Sequence, residues 1–168
     1  MALQAPPTHR HEVQVLTADF QFSGQLETVG PVGNFINDPT RDSMALYDVR
    51  VTPLTPNSPL GPVSRSHVVV RKQAIVLLYL TSAESRASVH ALARSELLVA
   101  YTPVAVCRGQ FHMPTEANLN EFLGVTPGEF LPITDAQVFP LVLIPDPFPT
   151  TAEVLLLGRA HLQLYHPA

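Results

Sequence analysis

A mainly β fold is predicted, built as a tandem duplication of a small bent-sheet or barrel unit with one helix between the copies. Three observations predict it. First, two heptads share the form Asp-x-x-Val-x-Pro-Leu: DVRVTPL at 48–54 and DAQVFPL at 135–141, 87 positions apart. Second, three further blocks recur in the same order at nearly that offset. They are Gly24-Gln25-Leu26 with Gly109-Gln110-Phe111, Phe35-Ile36 with Phe122-Leu123, and Ala74, Leu78 and Tyr79 with Ala160, Leu164 and Tyr165. Four ordered matches at one spacing mark an internal repeat. Third, apolar residues alternate inside the blocks, which is the period of a half-buried strand.

The first block of each copy is HEVQVLTADFQFSGQLE or LVAYTPVAVCRGQFHM. Val13, Val15, Phe20 and Phe22 alternate in one, Val104 and Val106 in the other. The internal glycine suits a bend, a bulge or a close backbone approach. The next stretch, VGNFIND or ANLNEFLG, reads as one or two helical turns. In the second version Asn118 is placed as N-cap and Gly124 as the stop. The heptads follow as strands that end at their proline, which has no N–H to donate to a ladder. Pro-rich connections come next, TPNSPLGPVSRS and VLIPDPFPTTA, whose prolines stiffen an extended backbone. The fourth block, HVVVRKQAIVLLYL or EVLLLGRAHLQLYH, reads as two strands with a tight corner at RKQ or GRA.

One segment stands outside the repeat. TSAESRASVHALARSE, residues 81–96, predicts a helix with Thr81 and Glu84 as capping box and Val89, Leu92 and Ala93 on one face. The expected organisation is a flexible tail over 1–11, a first repeat over 12–81, and a helix plus second repeat over 82–168. The two repeats are expected to pack side by side as one pseudo-two-fold unit, with strands pairing across the interface to cover open edges.

Composition narrows the function classes. Hydrophobic residues make up 46% of the chain and charged residues 14%, against ~25% charged in ordinary domains. Such a chain exposes apolar surface unless a partner covers it, so a homo-oligomer or a protein partner is expected. Residues 1–81 carry six basic and six acidic residues, and 82–168 carry four and eight. No basic face results, which disfavours phosphate-driven nucleic-acid binding. The single cysteine, Cys107, cannot form an intrachain disulfide. The apolar runs are far shorter than the ~20 residues that span a bilayer, and the first residues lack a signal-peptide pattern. A cytoplasmic protein is the expectation.

No catalytic, cofactor or metal motif is present in the sequence. His9-x-His11 is the tightest histidine pair, but it has no third ligand nearby and reads as part of a solvated tail. His161 falls, in the repeat as matched above, where the first copy has Ile75, and reads as a packed or edge histidine. Cys107 lies in an apolar strand and reads as a buried structural thiol. Asp48 and Asp135 would be the symmetric acid pair of a catalytic site, but each is more simply a strand-entry residue. The GPVG stretch at 30–33 lacks the Lys-Ser/Thr of a phosphate loop. The expected function is therefore a non-enzymatic scaffold or interaction module, with the Pro-rich loops 53–66 and 140–152 as candidate recognition arms. A small-ligand or enzyme site between the repeats is the remaining alternative.

The sequence of strand, bent strand, Pro-rich excursion and VVVRKQAIVLL resembles the Sm-like (LSm) family. LLLGRAHLQL is similar to that family's second motif around Arg159, and DSMALYDVRV to its first through Asp42, Met44 and Leu46. The resemblance implies a leading helix, a strongly bent five-stranded sheet, and nucleic-acid or nucleotide contacts at Arg71, Lys72 and Arg159. Two positions depart from the family pattern: Ala45 stands where it has Asn, and Lys72 where it has Gly. The second half also resembles small uncharacterised bacterial β domains through its Asn-Leu-Asn, Phe-Leu-Pro-Ile-Thr-Asp-Ala run, which implies no activity.

Overall fold

The computed structural model describes residues 4–168. In chain order the strands are β1 (Thr8–Thr17), β2 (Phe20–Val29), β3 (Ser43–Pro53), β4 (Val63–Arg71) and β5 (Ile75–Leu80), then β6 (Ser95–Tyr101), β7 (Ala105–His112), β8 (Phe130–Pro140), β9 (Thr151–Gly158) and β10 (Leu164–Pro167). Three short helices interrupt them: α1 (Val32–Ile36), α2 (Ala83–Ala87) and α3 (Phe122–Val125). All ten strands join one open antiparallel sheet in the order β10-β6-β7-β8-β9-β5-β1-β2-β3-β4. The order 5-1-2-3-4 thus occurs twice, and β9 against β5 joins the two units.

Corresponding backbone features recur in both units. Thr17 and Thr102 open the two hairpins that follow the first strand of each unit. Each hydroxyl accepts from the amide three residues on, Phe20 at 2.9 Å and Ala105 at 3.1 Å. The ladder register shifts at Gly24 between β2 and β3, and at Gly109 between β7 and β8. A Cβ at either glycine would stand 2.9 Å from a carbonyl oxygen of the facing strand, Tyr47 or Thr134. Only glycine lets the strands approach so closely. Opposite them, Asp48 and Asp135 have φ of 51° and 49°. Strands β3 and β8 then end at Pro53 and Pro140, and the next amide of each, Leu54 or Leu141, donates at 2.8 Å to Asp19 or Val104.

Four details differ from expectation. The helix expected over 81–96 is one turn, α2. Its N-cap is Ser82, whose Oγ accepts from Ser85 N, and residues 95–96 already belong to β6, pairing with His112 and Phe111. A five-residue helix cannot hold itself against such pairing. The tail expected over 1–11 is cut short, because β1 pairs with β2 from Thr8 onward. Asn118 accepts from Glu121 N and so caps a turn before α3, while Gly124 lies inside α3.

The fourth difference is a one-residue slip. Leu77 pairs with Leu16, one residue before Thr17, and Leu164 pairs with Tyr101, one residue before Thr102. Leu164 therefore corresponds to Leu77, not Leu78, and His161 to Ala74, not Ile75. In a strand a slip of one residue reverses the face of every side chain.

Two hydrophobic cores lie along the sheet. One gathers Val13, Val15, Phe22, Leu26, Ile36, Met44, Leu46 and Val49 from the first unit; the other gathers Leu98, Cys107, Phe111, Phe122, Leu131, Ile133 and Leu155 from the second. The units also lend residues to each other. Leu77 of β5 packs in the second core, and Phe130 and Leu156 of the second unit pack in the first.

Candidate functional site

The β5–β9 junction defines the geometry of the open ends. It is antiparallel, with Leu77 opposite Leu157 and Leu78 opposite Leu156. Three of these four leucines are fully buried and Leu156 is 2% exposed. Gly158 closes the junction: a Cβ there would run into the Ile75 carbonyl oxygen. The Pro-rich loop 141–150 reaches across from the second unit onto the first. Its Asp146 accepts from Thr52 Oγ1 at 2.6 Å and from Arg50 Nε at 3.3 Å. Its backbone exchanges two 3.0 Å hydrogen bonds with the Gln21 side chain. Phe148 of the same loop sits edge-on to Tyr79.

Among the described residues, neither outer edge has such a cover. β4, the counterpart of β9, has no strand beyond it, and neither does β10, the counterpart of β5. Val69, the counterpart of Leu156, is 61% exposed; Leu164, the counterpart of Leu77, is 52% exposed. Loop 54–62, the counterpart of the clamping loop, is exposed over 55–57 and 59–62. Unpaired edges with apolar side chains are templates for pairing with another chain.

The other candidate residues are spent on structure. Lys72 is buried; its ammonium donates to the carbonyls of Asp38 and Arg41 at 2.8 Å each and pairs with Glu129 at 2.8 Å. Arg159, its counterpart, donates to the carbonyls of Gly128, Leu123 and Thr126. Each cation thus gathers the carbonyls of its own unit's helical loop. Arg71 is exposed at the end of the β4 edge. The three are not gathered into one basic surface.

Asp48 and Asp135 lie in separate shallow depressions, one beside Ser64 and Arg65, the other beside Arg86 and Glu153. Five ladder steps separate β3 from β8, so the two carboxylates cannot share a proton. Cys107 is buried, and that burial pushes its thiol up to about 12. At neutral pH it is a thiol, not a nucleophile.

His11, expected in a solvated tail, is buried. Its Nε2 meets Thr28 Oγ1 at 3.1 Å, its Nδ1 meets Ser85 Oγ at 2.6 Å, and Ser82 Oγ donates to Ser85 Oγ. Thr28 Oγ1 in turn donates to Gly30 O. The whole chain of donors is satisfied by a neutral imidazole. Burial and the neighbouring His9 lower the His11 pKa, against a smaller opposite effect of Glu84. Among the described residues, no group of three or more His, Cys, Asp or Glu could hold a metal ion.

A cleft of about 380 Å³ lies between the helical loops of the two units, lined by Asn37, His90, His112, Thr126 and Phe130. Asn37 Oδ1 is taken by Phe130 N, and both His112 nitrogens are taken, by Leu92 O and Thr134 Oγ1. Of the polar atoms lining this cleft, Thr126 Oγ1 is buried without a partner. The lining offers no charged group or paired acid and base. No described helix is long and apolar enough to cross a membrane. The chain matches no family model, no curated protein and no solved structure.

Proposed function

We propose that this chain is a non-enzymatic scaffold: an oligomeric protein-interaction module made of two tandem Sm-like copies that works through the open ends of its sheet. The observation that carries this reading is the contrast between Leu156 and Leu77, buried at the junction, and their counterparts Val69 and Leu164, exposed at 61% and 52%. Exposed apolar edge strands are costly in a monomer and useful in an assembly. The repeated 5-1-2-3-4 strand order and the recurring glycine bulges support the tandem reading. The strand order, the bulged second strand and the short corner between the last two strands support the Sm-like reading of each copy. RNA binding draws little support, since Lys72 and Arg159 are held by loop carbonyls.

The test is light scattering across a concentration series, with a parallel capture experiment on immobilised protein. Assemblies or a captured partner, lost in Val69→Lys or Leu164→Lys, are expected. A strict monomer at high concentration that captures nothing sinks the reading.

A further inference from the structure

We propose that the cleft between the two helical loops binds a small uncharged molecule with an apolar body and an amide head. This goes beyond the scaffold reading and does not rest on it. The cleft holds about 380 Å³, within the range of small-molecule sites. Its floor is apolar: Phe130 and Leu156 line it at 1% and 2% exposure. Leu92, also in the lining, is 41% exposed. An apolar body in the cleft removes that leucine from water.

Three segments make the walls, and each is fixed before any ligand arrives. Asn37, from the helical loop of the first unit, accepts from Phe130 N of the second at 2.9 Å. Thr126 and Gly128 belong to the helical loop of the second unit, and Arg159 donates to both of their carbonyls. Leu92 lies in the segment between the units, and its carbonyl accepts from His112 Nδ1 at 2.6 Å. A site held this way needs little ordering when it binds. Gly128 adds a steric condition. Its φ is 95°, and a Cβ there would stand 2.8 Å from Asn37 Oδ1. Glycine lets the Asn37 amide pack directly on the loop that carries Thr126.

Two polar groups of the lining are left over. Thr126 is 5% exposed, and its Oγ1 is buried with no partner. Such a hydroxyl costs stability, and native folds keep few of them. A ligand that hydrogen-bonds to it removes that cost. The Asn37 amide has its oxygen occupied, while its Nδ2 donates to no described residue. A donor and a hydroxyl on adjoining walls complement an amide: the ligand carbonyl accepts from Nδ2, and the ligand N–H donates to Thr126 Oγ1. The lining also sets the charge of the ligand. It contains no Asp, Glu, Lys or Arg, so a carboxylate or an ammonium would give up its water for nothing.

The experiment is a ligand-observed NMR titration with benzamide, benzoate and toluene as probes, on the native chain, Thr126→Val and Ala91→Trp. Benzamide should bind the native chain, toluene less well, and benzoate at least about tenfold more weakly than benzamide. Thr126→Val keeps the shape of the side chain and removes the unpartnered hydroxyl. It should melt at or above the native temperature, yet weaken benzamide about three- to tenfold, the worth of one neutral hydrogen bond. Its affinity for toluene should stay native. Ala91 is an exposed residue of the lining. Ala91→Trp should close the cleft to benzamide and toluene while the circular dichroism spectrum stays native. Benzamide that fails to bind, or binds no better than benzoate, overturns the inference. So does a Thr126→Val chain that binds benzamide and toluene in the native ratio. Binding that survives Ala91→Trp puts the probe elsewhere and overturns it too. Each of these results leaves the scaffold reading intact, because none depends on assembly.

Discussion

Leu77 and Leu156 are exchanged between the two cores of this protein: each is encoded in one unit and buried in the other. The β5–β9 junction is therefore more than two strands laid side by side. Cutting either leucine back to alanine leaves a cavity in a core that its own unit cannot refill. Leu156→Ala and Leu77→Ala should each cost about 2–5 kcal/mol, read from urea unfolding at low protein concentration. Val69→Ala and Leu164→Ala, at the exposed counterparts, should stay within about 0.5 kcal/mol under the same conditions.

Asp48 and Asp135 occupy left-handed backbone, with φ of 51° and 49°. Aspartate and asparagine tolerate that region, glycine prefers it, and β-branched residues resist it. Asp135→Asn and Asp135→Gly should melt close to the native chain. Asp135→Val should lose about 1–3 kcal/mol. If asparagine destabilised the protein as much as valine, the carboxylate rather than the backbone would be what the position requires.

Asp146 ties a loop of the second unit to three side chains of the first. The arm is proline-stiffened, and its aspartate is the main polar attachment. Asp146→Ala should leave the circular dichroism spectrum unchanged and speed proteolytic cutting within 141–150. Equal cutting rates in variant and native chain would show that Phe148 and the Gln21 bonds to the loop backbone hold the loop without the carboxylate.

The His11 network fixes a pH dependence. The folded pKa is lowered, so the folded state favours the neutral ring that Thr28 and Ser85 require. The unfolded chain takes up its proton near pH ~6.5. Stability from this site is therefore complete above that pH and is lost as pH falls towards the folded value. Thermal unfolding followed from pH 7.5 to 5 should show this loss in the native chain and a weaker slope in His11→Gln. An identical slope in both would assign the effect to other groups.

Much of this architecture was legible in the sequence, for local reasons. Asp-x-x-Val-x-Pro-Leu encodes an inward side chain and a strand exit within seven residues, but its Asp is not the expected strand entry: Asp48 and Asp135 lie midway along β3 and β8, in left-handed backbone opposite the glycine bulges. Gly24 and Gly109 likewise mark the bulges because nothing larger fits beside Tyr47 O and Thr134 O. The rest depended on pairing between distant segments. Residues 95–96 carry a helical pattern, but the ladder to β7 claims them. His11 looked like tail because its partners Thr28 and Ser85 lie 17 and 74 residues away. The slip between Leu77 and Leu78 was invisible because both are leucines, and only the ladder distinguishes them. The clamp by Asp146 left no signal, since Gln21, Arg50 and Thr52 are ordinary exposed-strand residues until a loop from the other unit arrives.

The most direct measurement is amide hydrogen exchange, followed by mass spectrometry at low and high protein concentration. Peptides from β5 and β9 should be protected equally at both, because their junction is within the chain. Peptides covering 66–70 and 164–166 should exchange fast when dilute and slow markedly when concentrated. Exchange at those two edges that does not change with concentration would contradict assembly through the ends of the sheet.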